Sequence, residues 1–198
     1  MPGFDQLTLR TARLLLRPLR DSDVAAMYAV FSEPRVTRYW STPPWTKLEQ
    51  AVAFVERDLA AMRVGDYLRL GLERLDGGAL IGQCTLFNLA QPSRRAELGY
   101  AMGIGAWGQG FMHEALVALL NHGFAALKLN RVEADIDPRN AASARSLERL
   151  GFQREGLLRE RWIVAGEVCD SCLYGLLARD WQRLASPSAI GAFSGTEG

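Results

Sequence analysis

One segment constrains this chain more than any other: Glu97-Leu-Gly-Tyr-Ala-Met-Gly-Ile-Gly-Ala-Trp-Gly-Gln-Gly-Phe-Met-His-Glu114. A strand-like run passes straight into a loop containing Gly103, Gly105, Gly108 and Gly110, and the loop passes straight into a long apolar helix. Glycine lets the backbone approach an anion closely and accepts positive φ. The free N–H groups of a first helical turn point at such an anion, and the helix dipole favours its negative charge. Trp107, Gly108, Gln109, Gly110, Phe111 and Met112 therefore form a candidate cradle for a pyrophosphate. The plainer alternative is a flexible loop ahead of a core helix.

The rest of the chain supplies strands and helices around that segment. Arg13-Leu-Leu-Leu-Arg-Pro18 reads as a first strand. Asp21-Ser-Asp23 offers N-caps to an apolar run from Val24 to Phe31, and Glu33-Pro34 ends that helix because the residue before proline is pushed out of the α region. Thr46-x-x-Glu49 reads as a capping box for a helix towards Met62, with an apolar stripe of Leu48, Val52, Val55, Leu59 and Met62. Strands follow over Tyr67–Glu73, Ala79–Asn88 and Arg95–Met102, the first two joined by the turn Asp76-Gly77-Gly78. The helix from Phe111 to Leu127 is apolar nearly all round, the pattern of a helix buried on most faces.

Arg131–Ile136 is a fifth strand, and Asn140 caps a short helix that ends at Leu150-Gly151. Phe152–Val164 and Glu167–Leu177 close the sheet as an antiparallel pair around Ala165-Gly166. The expectation is one mixed α/β domain over residues 1–183, followed by a weakly ordered tail over 184–198.

Composition matters here for what it excludes. The formal net charge is only +1, with no Lys/Arg run, so no nucleic-acid partner is expected. No stretch reaches the roughly 18 consecutive apolar residues of a membrane span. The start, Met1-Pro2-Gly3-Phe4-Asp5, lacks a signal-peptide pattern, which makes a cytoplasmic location the default expectation. Cys169-x-x-Cys172 has metal-like spacing but no second pair and no nearby histidine, so three reduced thiols, Cys84 included, are expected and no metal.

Gly103-x-Gly105-x-x-Gly108 matches a dinucleotide-binding fingerprint by letter. That fingerprint needs a parallel strand–helix–strand unit with the glycines at the helix start and an acid about twenty residues on. Here three strands precede the loop, and the helix starts only after Gly110. A coenzyme held through its pyrophosphate fits better. Asp137-Pro-Arg-Asn140-Ala-Ala-Ser143 agrees, because it begins a helix just after the next parallel strand. Ligands bind beyond the carboxyl ends of such strands, so both loops face one crevice. Asn140 can cap its helix and also hydrogen-bond a bound amide.

With these motifs together, Arg13–Pro18, Glu97-Leu-Gly-Tyr100, Trp107–Ala115, Asn140-Ala-Ala-Ser143 and Leu150-Gly-Phe152, the chain resembles the GNAT superfamily of N-acetyltransferases, and within it the RimJ/RimL-like group, over roughly Leu14 to Trp181. The resemblance implies a central, mostly antiparallel seven-stranded sheet with a parallel pair at strands four and five, flanked by helices. It implies acetyl-CoA as co-substrate. Backbone groups of Leu98, Gly99, Tyr100, Ala101 and Met102 would hold the pantetheine, amides from Gly108 to Met112 the pyrophosphate, and Asn140 and Ser143 the pantetheine end. Relatives of this kind are often homodimers. Gly105 and His113 stand where the family often has Gln or Arg and Thr.

The implied reaction is acetyl transfer to a primary amine, a protein N-terminus or a small molecule. Glu97, at the head of the strand bordering the thioester, is the favoured base, although a solvated strand-end carboxylate explains it equally. A backbone N–H around Leu98 to Tyr100 would serve the oxyanion. By resemblance, Ser143 would protonate the leaving thiolate. The family's second carboxylate has no clear match, since Trp162 falls near its place with Glu160 two residues earlier. Tyr39, Trp40, Trp45 and Phe87 are candidates to line the acceptor pocket, and Arg35 or Arg38 to meet an acidic group of the substrate. A non-catalytic acyl-CoA-binding module and an acyltransferase using another acyl-CoA stay open as rivals.

Overall fold

The structure is a computed structural model, and it describes residues 3–185. Along the chain lie β1 (Leu9–Arg10), β2 (Leu14–Arg17), α1 (Val24–Phe31), α2 (Pro34–Thr37), α3 (Leu48–Val64), β3 (Leu68–Arg74), β4 (Leu80–Ala90) and β5 (Arg95–Met102). Then come α4 (Phe111–Ala125), β6 (Arg131–Ile136), α5 (Ala141–Arg149), β7 (Gln153–Val164), β8 (Glu167–Leu177) and α6 (Ala178–Ala185). The strands form one sheet in the order β1-β2-β3-β4-β5-β6-β8-β7. Every neighbouring pair is antiparallel except β5 with β6. This is the mixed α/β arrangement expected, with eight strands rather than seven. The extra one is β1, whose two residues pair with Leu15 and Leu16 and are too few for an alternation signal.

Strand alternation divides the sheet into two faces. Even-numbered residues Leu70, Cys84, Leu86, Leu98, Val132, Ala134 and Leu176 are buried in one core with Leu116, Leu119 and Leu120 of α4. Each of those helix leucines is fully buried, worth about 1.5–3 kcal/mol apiece. On the opposite face, α1 and α3 pack over Ala101 through Met27, Val30, Phe31, Phe54 and Val55. They cover only part of that face. The odd-numbered residues of β5 and β6, among them Arg95, Glu97, Arg131, Glu133 and Asp135, line a cavity there.

Several local expectations are corrected. Pro34 does not only end a helix: it opens α2, where its fixed φ suits the first turn and the Glu33 side chain accepts from Arg35 N–H. At α3 the capping contact comes from Gln50, whose Oε1 accepts from Lys47 N at 3.0 Å and Thr46 N at 2.8 Å, not from a Thr46–Glu49 pair. The buried face of α3 runs through Ala51, Phe54, Val55, Asp58 and Met62, leaving Leu48 and Val52 exposed. Asp23 does not cap α1 with its side chain. Its carboxylate instead accepts from Arg17 at 2.7 and 2.9 Å and from Arg20 N at 2.7 Å, fixing β2 to the start of α1. α4 stops at Ala125, and α6 carries the described chain through Ala185, so residues 186–198 of the expected tail lie outside the described residues. Among the described residues, no helix is long and apolar enough to cross a membrane.

Candidate active site

β5 and β6 pair over only three positions, Arg95↔Arg131, Ala96↔Val132 and Glu97↔Glu133. Beyond Glu97, β5 continues to Met102 bonded only to β4, while β6 continues to Ile136 bonded to β8. The two parallel strands therefore part, and the edge of β5 from Leu98 to Met102 is left without a neighbouring strand among the described residues. Backbone N–H and C=O groups along such an edge need partners, and an extended amide-bearing chain supplies them. The opening sits at the carboxyl ends of parallel strands, where ligands of open sheets bind.

The glycine loop closes one end of it. Trp107 Nε1 donates to Met102 O at 2.7 Å and Gln109 Nε2 donates to Gly105 O at 2.8 Å, so the loop has its own bracing. Gly108 and Gly110 adopt φ of 73° and 81°. A Cβ added at Gly105 or Gly108 would meet nothing within 4 Å, so both face open space. The first backbone bond of α4 runs from Glu114 N to Gly110 O, leaving the N–H groups of Phe111, Met112 and His113 without intrahelical acceptors. Gly110 has no side chain to cap them. This is an anion-ready helix start. Close by, His113 Nδ1 is buried with no hydrogen-bond partner.

A strut that the sequence did not reveal holds this loop. Arg13 Nη1 donates to Gln109 O at 2.9 Å, Arg13 Nε donates to Glu114 Oε2 at 2.7 Å, and Thr11 Oγ1 donates to Glu114 Oε1 at 2.5 Å. The guanidinium also lies 4.4 Å from the Phe111 ring centroid. Partial burial pushes the Glu114 carboxyl up, but its bonds from Thr11 and Arg13 prevail and hold it below its ordinary value.

The other end of the opening is polar. Asn140 Oδ1 accepts from Ser143 N at 3.1 Å and so caps α5. Ser143 Oγ lies 2.7 Å from the Tyr100 hydroxyl, a link from α5 to the freed stretch of β5. Burial pushes the Tyr100 phenol up, opposed by its bonds to Ser143 and Ser146.

On the opposite face of the same strands, Glu97 accepts from Asn88 Nδ2 at 3.0 Å, with Arg95 Nη1 at 3.9 Å. Asn88 sits in a bulge of β4 with φ of 49°, a left-handed conformation that asparagine tolerates. Arg95 and Arg131 both bond Glu133, Arg131 reaches Glu155, and Arg161 Nε donates to Asp135 Oδ2 at 2.9 Å. These groups surround a cavity of about 150 Å³. A second cavity, of about 470 Å³, opens beside Phe87, Asn88, Tyr67 and Arg69.

The structure brings Glu97, Phe87 and the opening together, but it disperses the other acceptor candidates. Trp40 and Trp45 pack on Phe31 at centroid distances of 5.0 and 4.7 Å, and Trp45 also on Phe54 at 5.3 Å. Arg35 turns to Glu33 at 2.8 Å. Tyr39 lies under Arg139, 5.9 Å from ring centroid to guanidinium, and Arg139 bonds Asp137 and Glu167. Tyr39 therefore joins the α2 loop to the β6–α5 loop and the β7–β8 hairpin at the mouth. Asp135, Arg161, Asn88 and the Tyr100 hydroxyl were missed by sequence reasoning, because each becomes part of the site only through contacts across the sheet.

Comparisons with known proteins agree with this geometry. Residues 13–153 match the acetyltransferase (GNAT) domain family. A Bacillus licheniformis protein named uncharacterized N-acetyltransferase p20 is 37% identical over 176 residues, spanning 88% of this chain and 98% of that one. The [ribosomal protein uS5]-alanine N-acetyltransferase of Escherichia coli is 27% identical over 185 residues, covering 89% and 93%. In fold, spermidine N-acetyltransferase from Vibrio cholerae, solved with CoA and spermine, superposes with a TM-score of 0.77 at 20% identity, covering 87% of this chain and 99% of that one. The parted parallel strands, the glycine loop at the head of α4 and a match spanning most of the sheet together place this chain in the GNAT family of acetyl-CoA-dependent acetyltransferases.

Proposed function

We propose that this protein transfers the acetyl group of acetyl-CoA to a primary amine by direct attack within a ternary complex. The observation that carries this reading is the parting of β5 from β6 after Glu97, with free helix N–H groups at one end and a carboxylate-bearing cavity on one face. The pantetheine would pair with the edge of Leu98, Gly99, Tyr100, Ala101 and Met102. Its pyrophosphate would sit on the amides from Trp107 to Met112, where the space a Cβ would fill at Gly108 is open. Asn140 and Ser143 would meet the pantetheine end.

Glu97 attracts the ammonium and takes its proton through water. A backbone N–H between Leu98 and Tyr100 receives the developing oxyanion. Ser143, already bonded to Tyr100, supplies a proton to the departing thiolate. Much of the acceleration comes from holding amine and thioester in contact.

For the acceptor, the electrostatics favour a cation. Around the smaller cavity stand the carboxylates Glu97, Glu133, Asp135 and Glu155 against the guanidiniums of Arg95, Arg131 and Arg161, leaving one negative charge in excess. Such a site concentrates an alkylammonium. Phe87 lines the larger cavity beside Asn88, Tyr39 lies under Arg139, and Trp40 and Trp45 hold the α2 loop in shape. Of the proteins named above, one is named for acetylating an alanine of ribosomal protein uS5 and another, alike in fold, for acetylating spermidine.

The test is CoA release from acetyl-CoA by purified protein offered an alanine-ended peptide, a serine-ended peptide, spermidine and free amino acids. Amine-dependent release that falls at least about 100-fold in Glu97→Gln supports both the activity and the role of Glu97. Release that survives the change removes Glu97 from the mechanism. Tight acetyl-CoA binding without turnover on any amine would identify a binding module instead.

A further inference from the structure

β6 carries Asp135 two residues past Glu133, beyond the last pair it makes with β5. Alternation puts Asp135 on the same face as Glu97 and Glu133, and all three line the same cavity. Counted from the pair Glu97↔Glu133, the residue of β5 level with Asp135 is Gly99, which has no side chain. At the level where the strands have parted, the rim on this face is glycine on one side and a carboxylate on the other. Glu97 stands one step back, where the strands are still joined, and Asn88 occupies one of its oxygens.

The partner of Asp135 arrives through a departure from regular strand. The β7–β8 register shifts between Leu158 and Trp162, and Glu160 adopts φ of 52° while its N–H donates to Asp170 Oδ1 at 2.8 Å. A non-glycine residue held in the left-handed region is strained, and such strain gathers at functional sites. The bulge turns Arg161 towards β6 and places its Nε 2.9 Å from Asp135 Oδ2. Burial pushes the Asp135 carboxyl up against the pull of Arg161 and a hydrogen bond from the Trp162 side chain, and the charge of Glu97 adds to the rise. The charged and titratable groups around it are Arg95 and Glu97 from β5, Arg131 and Glu133 on β6, Glu155 and Arg161 from β7, and Tyr174 from β8, which also contributes Leu173. A carboxylate that is partly desolvated yet held in place by one guanidinium suits proton abstraction.

We infer that Asp135 touches the acceptor ammonium and receives its proton first, passing it through water to Glu97, the base proposed above, and so to solvent. This rests on the acetyl-transfer reading above and names the residue that starts it. The ammonium gives one proton to Asp135, and the freed lone pair forms the N–C bond at the acetyl carbon. The C–S bond then breaks, its electron pair stays on sulfur, and the second nitrogen proton reaches that sulfur through the Ser143 hydroxyl. Asp135 finally releases its proton to solvent, so an ammonium and a thioester become an amide, a thiol and one proton.

The experiment measures kcat/KM for CoA release against pH, with spermidine and with an alanine-ended peptide, in the wild type, Asp135→Asn and Arg161→Gln. Calorimetry of acetyl-CoA binding to each shows whether the site is intact. Asp135→Asn is expected to lose about 100-fold or more at every pH while binding acetyl-CoA as the wild type does. Arg161→Gln removes the cation that favours the ionised carboxylate, so its acid limb moves to higher pH while turnover persists on the alkaline side. Each amine is compared across all three proteins, so its own titration cancels. Asp135→Asn within about threefold of wild type, or equal losses in both variants with no shift of the limb, would overturn the assignment and leave the ion pair a purely structural one. If the wild type itself releases no CoA with either amine, the acetyl-transfer reading fails and this inference fails with it.

Discussion

Replacing Gly108 by alanine sets the shape of the glycine loop against what the loop binds. Gly108 holds φ of 73°, and a Cβ there would meet nothing within 4 Å. The folded apo protein therefore loses only the left-handed penalty of an L-residue, about 1–2 kcal/mol. Part of that is offset, by about 0.4–1 kcal/mol, because alanine also restricts the unfolded chain. A net loss of roughly 1 kcal/mol lowers Tm by about 2–4 °C in a chain of this length. Gly78 provides the control, since it lies in the β3–β4 turn outside the loop with φ of 70° and equally open space around its Cβ position. Both variants should lose similar stability.

Binding should separate them. The methyl at residue 108 would enter the space where the loop amides meet an anion, costing one charge-assisted hydrogen bond, about 1.5–3 kcal/mol. That is roughly a 10- to 150-fold rise in Kd. Calorimetric titration with acetyl-CoA measures it directly, and the half-exposed Trp107 beside Gly108 gives an independent fluorescence signal. Gly78→Ala should bind acetyl-CoA as the wild type does. Equal Kd in the two folded variants would refute the assignment of this loop as the pyrophosphate cradle.

The strut on the loop has its own pH signature. Because the folded state holds the Glu114 carboxyl below its ordinary value, the unfolded chain binds the proton more tightly, and stability present above about pH 4.5 is lost as pH falls through the folded value. Thermal melts of Glu114→Gln should begin at a lower Tm at neutral pH and show a shallower decline on acidification than the wild type; identical slopes would count against the strut. Asp23→Asn removes one partner of an ion pair in which both residues are buried, and should cost about 3 kcal/mol in urea unfolding. That is the lower end of what such a break costs, since Glu73 still faces Arg17, and a loss under about 1 kcal/mol would show that the pair is not needed to hold α1 on β2.

Local chemistry made much of the fold legible. Arg95–Met102 and Arg131–Ile136 have the bounds that alternation between turn residues predicts, and Asn140 caps α5 as its position before an apolar-periodic run requires. The glycine loop was legible because positive φ at Gly108 and Gly110 is written into residue type. The aromatic loop stayed open between two readings for the opposite reason. Tryptophan beside proline suits a ligand wall and a packed edge alike, and the choice was made by Phe31 on α1 and Phe54 on α3. Neither helix announces where its neighbour will dock.

The carboxylates show the same limit at the centre of the site. Glu97 could be nominated from sequence because it precedes the glycine loop on one strand, so its distance from that loop is fixed by strand geometry alone. Asp135 could not, because its standing depends on where two strands separated by the whole of α4 stop pairing. Residue pattern sets which face a side chain takes, but not how far two parallel neighbours stay joined. Its guanidinium partner was further out of reach. Regular alternation along β7 would assign Arg161 a face by counting, and the register shift around Glu160 breaks that count without a glycine to mark it. The missing second carboxylate was sought near Trp162 on the strand after Gly151-Phe152, yet at that level β7 brings the cation Arg161 to the cavity and β6 the acid Asp135. The chemistry expected of one strand is thus divided between two, and only their contact at Arg161–Asp135 reveals the division.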